Sequence, residues 1–206
     1  MDIGIIIKTV INVILKPKQT LQDISHQSMT RKDVLFYLAI VGIPTFIGIL
    51  IGYGFLWYWG ANFIVPSLAG AIIYYIVAII GIILFGYFIN ALAPNFKSQK
   101  NLAQALKLVA LASTPWLLAG IFYLLPGWLW PLVLLAGLYG LYILYLGFPI
   151  LMGTPQDQQI IYLIIAAVIF FVIMSVIWWV TNTIIWNIAI GSAYAYYWAH
   201  LPRGYY

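Results

Sequence analysis

From Val34 to about Tyr58, and again from about Ser67 to Ala91, the chain is long enough to cross a bilayer as a helix and carries no charged side chain. Three more apolar runs follow, from about Leu106 to Leu125, Trp128 to Leu151 and Ile160 to Thr183. None shows sustained polar–apolar alternation, so each is expected to satisfy its backbone within a helix rather than in a barrel. The expected fold class is therefore all-α: a polytopic membrane protein with five transmembrane helices. Composition supports this solvent assignment. Hydrophobic residues make up 65% of the chain and charged residues 6%, against roughly 25% charged in soluble domains. Five spans and short loops use up most of the length. The chain divides into an N-terminal segment over 1–33 and a five-helix transmembrane domain over 34–206.

The N-terminal segment has a different pattern. Between Gly4 and Lys16 the polar residues Lys8, Thr9, Asn12 and Lys16 fall on one helical face, with isoleucines, valines and a leucine elsewhere. This helix is too short to span and ends at Pro17, so it is expected to lie at the interface, apolar arc in lipid and lysines toward phosphate. Packing of the same helix against the bundle is the other reading. No small-residue cleavage site follows, so the segment reads as retained. Residues 18–32 are more polar and predict a second short helix and a connector, with Asp33 helping to cap the first span.

Charge gives the expected orientation. Lys8, Lys16, Lys18, Arg31, Lys32, Lys97, Lys100 and Lys107 all fall on one side of a five-span chain, leaving Arg203 opposite. The basic side is expected to face the cytosol, with the C-terminus outside. Lys107, the one ionisable group close to a span interior, is expected to snorkel to that interface. Trp57, Trp59, Trp128, Trp130, Trp178, Trp179, Trp186 and Trp198 map toward the far side, the pattern of an aromatic belt. The tail from Gly191, with Tyr194, Tyr196, Tyr197 and Trp198, is expected to be interfacial. Lys8, Lys16, Lys18, Arg31 and Lys32 are the candidate lipid or partner contacts. A net charge of +5 arranged beside spans points to anionic lipid rather than nucleic acid.

Within the spans, Gly48 and Gly52 allow close helix approach, for which internal packing and self-association are the two readings. Pro44 and Pro115 each remove a backbone donor and predict kinks, with Ser113 and Thr114 placed to serve freed carbonyls. Tyr139, Tyr142 and Tyr145 repeat every third residue, and with Asn90, Ser113 and Thr114 they are candidates to line a polar groove. Hydrogen-bonded ties between helices are the alternative reading. Gly52, Tyr53 and Gly54 share the letters of the potassium-channel filter. A filter loop, however, follows a short pore helix between two spans, so the string reads as coincidence.

Side-chain inventory weighs against catalysis. The four carboxylates, Asp2, Asp23, Asp33 and Asp157, lie outside the expected hydrocarbon core, and glutamate and cysteine are absent. His26 and His200 fall on opposite sides, which leaves Asp23 with His26 short of a metal ligand set. There is no intramembrane Ser/His dyad, aspartate pair or HExxH. No enzyme activity, metal or cofactor is expected.

Several features in order carry a family resemblance. They are Lys16-Pro17 followed by Thr20, Ile43-Pro44 in the first span, Ala112-Ser113-Thr114-Pro115 in the third, and Met152-Gly153-Thr154-Pro155-Gln156-Asp157 after the fourth. Together they resemble the Yip domain family, small five-span membrane proteins named for interaction with Ypt/Rab GTPases, and in particular its prokaryotic branch. The resemblance implies a cytosolic N-terminus, an opposite-facing C-terminus, no active-site residue and a bacterial or archaeal plasma membrane. Eukaryotic relatives carry a longer, acidic N-terminal region, whereas this chain has about 33 residues there and no glutamate, so Rab binding is not carried over. The resulting expectation is a non-enzymatic scaffold or adaptor that binds lipid, other membrane proteins or a second copy of itself. The rival is a passive channel or transporter for a small solute or ion.

Overall fold

A computed structural model describes residues 2–27, 29–52, 64–125 and 129–199. The GYG string beyond Gly52, the loop containing Trp57 and Trp59, Trp128, and the tail from His200 lie outside the described residues. So do the side chains of Trp130, Trp186 and Trp198.

Every regular element among the described residues is a helix. Two short helices, α1 (Ile3–Leu15) and α2 (Pro17–Ser25), form an N-terminal hairpin. Pro17 ends the first and begins the second, because its ring cannot continue a helix yet suits a first turn, where the missing N–H has no intrahelical acceptor. The first span starts at Arg31 with a reciprocal cap. Asp33 N donates to Thr30 Oγ1 at 3.3 Å and Thr30 N donates to Asp33 Oδ2 at 2.9 Å. This span breaks into α3 (Arg31–Val41) and α4 (Ile43–Ile51) at Gly42, two residues before Pro44. The Ala39 carbonyl at the break accepts from the Tyr75 hydroxyl at 2.5 Å.

Helix α5 (Ile64–Leu92) returns and tightens into a 3-10 turn at Ala93–Phe96. Helix α6 (Leu102–Ala119) runs through Pro115 and tightens at Gly120–Leu124. Helix α7 (Trp130–Met152) follows, and α8 (Gln156–Ala199) closes the bundle. Among the described residues, five segments are long and apolar enough to cross a membrane: Arg31–Ile51, Ser67–Phe96, Leu102–Leu124, Pro131–Met152 and Gln156–Ile184. The all-α, five-span architecture is the one expected. Helix α8 continues unbroken past Ile184, so Gly191–Ala199 extends the last helix.

Helix α6 is the central post, with every residue from Ala105 to Pro115 buried, while α5, α7 and α8 turn one face outward. The connections before α6 and before α8 meet at one end of the bundle. Gln99 N donates to Met152 O at 2.8 Å, the Ser98 and Thr154 hydroxyls are 2.8 Å apart, and Lys97 Nζ reaches Asp157 Oδ2 at 3.4 Å. Beneath them the Tyr162 ring is sandwiched between Phe96 and Phe148, with centroids 4.4 and 4.1 Å away, and its hydroxyl donates to Ile89 O. This end also holds the N-terminal hairpin and most of the lysines. It is called the basic face below.

Candidate functional site

Several polar groups of the spans tie one helix to another or serve a carbonyl of their own helix. Thr114 Oγ1 donates to Ala110 O within α6, which makes Tyr37 the donor in its 2.7 Å bond to the same oxygen. Ser113 Oγ donates to Val109 O at 2.7 Å. Thr45 Oγ1 donates to Leu117 O at 2.5 Å, joining α4 to α6. Pro149 in α7 lacks the N–H that would have met Tyr145 O, and Gln159 Nε2 from α8 donates there instead at 2.6 Å. A hydroxyl or amide in hydrocarbon is retained where it has a partner, and these do.

The side chains expected to line a groove are distributed rather than assembled. Among the described residues Asn90, Ser113, Thr114, Tyr139, Tyr142 and Tyr145 share no hydrogen bond with one another. Tyr139 hydroxyl donates to Ile14 O of the hairpin at 2.7 Å. The Tyr142 side chain is exposed on the outside of α7, and Asn90 Oδ1 is buried without a partner. A cavity of about 270 Å³ opens between α6, α7 and α8, but Trp116, Leu138, Phe170 and Met174 make its wall apolar. Among the described residues no three His, Cys, Asp or Glu side chains cluster.

The paired glycines lie inside the bundle. A methyl at Gly48 would run into the Gly120 carbonyl, and one at Gly52 into the Tyr123 carbonyl. A methyl at Gly120 would run into Thr45. Small residues on both partners let α4 meet the 3-10 end of the third span backbone to backbone.

Lys107 corrects the snorkelling expectation. It is buried, 3% exposed, and its ammonium donates to the carbonyls of Ile24, at 3.3 Å, and Gln27. Gln104 Nε2 adds a bond to Ser25 O at 3.1 Å. The last carbonyls of a helix have no intrahelical donor and carry its negative dipole end, so a cation placed there both satisfies and attracts them. The neutral Tyr139 hydroxyl satisfies one such carbonyl of α1, Ile14 O. The hairpin is thus fastened to α6 and α7 by the C-terminal ends of both its helices.

Helix α1 presents three distinct faces. Ile6 and Val13 are fully buried against the bundle. Lys8, Asn12 and Lys16 form a polar stripe. Ile3, Ile7, Ile11 and Leu15, four residues apart, form an open apolar stripe, each at least half exposed. Helix α2 buries Thr20, Leu21 and Ile24, and leaves Lys18, Gln19, Gln22, Asp23 and His26 exposed. Arg31 and Lys32 are exposed where the first span begins.

The fold and these faces define a multi-pass helical membrane protein whose accessory hairpin is clasped to one end of the bundle. The Yip1 domain family model matches residues 11–178. The match reaches from within α1 through most of the last span, and the chain belongs to that family. No curated protein and no solved structure matches it significantly.

Sequence reasoning had not singled out Tyr37, Thr45, Tyr75, Gln159 or Tyr162. The available signal was an isolated hydroxyl or amide in an apolar run, which in a membrane needs a partner on another helix.

Proposed function

We propose that this Yip family protein is a non-enzymatic scaffold or adaptor in a bacterial or archaeal plasma membrane. Its N-terminus lies in the cytosol and its C-terminus outside. The observation that carries this reading is the open apolar stripe of α1, bordered by Lys8 on a helix already anchored to the bundle. A docked helix that keeps one apolar face free offers a binding surface for lipid or for a membrane-embedded segment of another protein. Lys8, Lys16 and Lys18, with Arg31 and Lys32 nearby, favour the anionic side of a membrane.

The test is crosslinking and pull-down from proteoliposomes and native membranes, comparing the parent with a variant in which Lys8, Lys16 and Lys18 are glutamine. Loss of association in the variant is expected. Failure of the parent to associate with anything, together with an unaltered variant, overturns the scaffold reading. Solute or ion flux in the same vesicles is the test of passive permeation. Supporting the scaffold over a channel, the hydroxyls of Ser113 and Thr114 are used within α6 and Tyr139 is used on α1.

A further inference from the structure

The attachments of the hairpin fix its depth. The fourth span, Pro131–Met152, has 22 residues. At about 1.5 Å per residue it is only just longer than a hydrocarbon core of about 30 Å, so its whole length is needed to cross. Met152, bonded to Gln99, marks the basic face. Tyr139 lies about 20 Å further in along the same axis. Even allowing the full reach of its phenol, the Ile14 carbonyl that it holds sits about 10 Å or more inside the end of α7. The other end of the hairpin returns to the surface, since Ser25 and Gln27 are bound by Gln104 and Lys107 near the start of α6. Helix α2 packs along α7 between these two levels.

This places incompatible faces at the same depth. The α1 stripe of Ile3, Ile7, Ile11 and Leu15 suits acyl chains, while Lys16, Lys18 and Gln19 are exposed at the hairpin tip and Gln22 is exposed more than a turn further along α2, toward the surface. Such polar groups do not remain in hydrocarbon when water or headgroups can reach them. Flat bilayer along this side of α7 would bury them in lipid tails.

We propose that the α1–α2 hairpin is a binding site for anionic phospholipid headgroups held below the ordinary plane of the leaflet, so that the bilayer is locally thin along this flank. Lys8, Lys16 and Lys18 meet the phosphates, outnumbering the carboxylates Asp2 and Asp23 on the hairpin, and the isoleucine stripe takes the acyl chains. This extends the lipid-contact part of the proposed function and is independent of any protein partner. Loss of partner capture with retention of this site would remove the adaptor role alone.

The experiment uses the full chain in nanodiscs of zwitterionic lipid, with and without phosphatidylglycerol. Because the chain has no cysteine, single-cysteine spin labels report unambiguous positions. Labels at Gln19 and Gln22 are expected to collide with a water-soluble nickel chelate, and labels at Ile7, Ile11 and Leu138 with oxygen. Native mass spectrometry should show phosphatidylglycerol retained by the parent and severalfold less by the Lys8→Gln, Lys16→Gln, Lys18→Gln variant. The corresponding arginine variant should keep retention and so guard against misfolding. Competition by inorganic phosphate alone would make the site one for a free anion and overturn the lipid assignment. Oxygen-accessible, chelate-inaccessible labels at Gln19 and Gln22, or retention indifferent to the glutamine changes, would also overturn the proposal.

Discussion

The contact between α4 and the end of the third span gives the sharpest stability prediction. A methyl added at Gly120 would stand 2.5 Å from Thr45 Cβ and 2.6 Å from Thr45 Cα. Carbon atoms in contact sit about 3.5–4.0 Å apart, so α4 would have to back away by about 1 Å. Thr45 Cα is backbone and no rotamer relieves the overlap. Retreat of α4 would also stretch the Thr45 to Leu117 bond, now 2.5 Å, and loosen the Gly48 contact with Gly120. Overpacking costs about 1–3 kcal/mol, and an interhelical hydrogen bond in a membrane protein contributes about 0.6 and at most about 1.7 kcal/mol. Gly120→Ala should therefore destabilise by about 2–4 kcal/mol.

Gly137 is the control, since a methyl there meets nothing within 4 Å. Gly137→Ala in α7 should be neutral or stabilising by up to about 1 kcal/mol. Reversible unfolding in mixed detergent micelles, titrated with dodecyl sulfate and followed by far-UV circular dichroism, reads both. Adding Thr45→Ala to Gly120→Ala removes the hydroxyl and methyl but not Cα, so rescue should be partial. A Gly120→Ala protein as stable as the parent, or full rescue by Thr45→Ala, would refute the backbone-contact argument.

Three further outcomes follow from single bonds. Gln159→Leu should cost about 1–2 kcal/mol by abandoning Tyr145 O, and less in a Pro149→Ala background where α7 regains its own donor; a double-mutant cycle showing no coupling would contradict this. Lys107→Met should release the hairpin, raising amide hydrogen exchange over residues 17–27 while α7 and α8 stay protected; unchanged exchange would mean that the two carbonyl bonds do not hold it. Lys97 and Asp157 are 69% and 60% exposed, so their ion pair is screened by solvent: Asp157→Asn should leave the unfolding midpoint indistinguishable from the parent's at high salt, and a clear loss of stability that persists in high salt would contradict this.

What could be read from the sequence, and what could not, follows from the solvent. Lipid is as apolar as a protein core, so apolar length marks a span without saying which face of it packs. Ile82 is fully buried and Ile80, two residues earlier, is 49% exposed, with no chemical difference to announce it. The near-uniform isoleucines of α1 hid its division into a docked and an open stripe for the same reason. Pro44 and Asp33 could be singled out because a proline and a capping carboxylate act through local backbone chemistry, whereas Thr30 as the cap's other half and the third-span partners of Gly48 and Gly52 could not. The tyrosine stripe was not, because a step of three residues falls about 60° short of a full turn. Its members fan around α7: Tyr139 reaches α1, Tyr142 faces out, and only the Tyr145 backbone carbonyl meets Gln159. Lys107 was the hardest case. A lysine near a span end has water as its default partner, and its actual acceptors are carbonyls on α2 and just beyond it, which no local pattern around residue 107 encodes. Inside a membrane, then, the informative residues are the polar and small ones, since each must find a specific partner or permit a specific approach. The isoleucines say only where the lipid is.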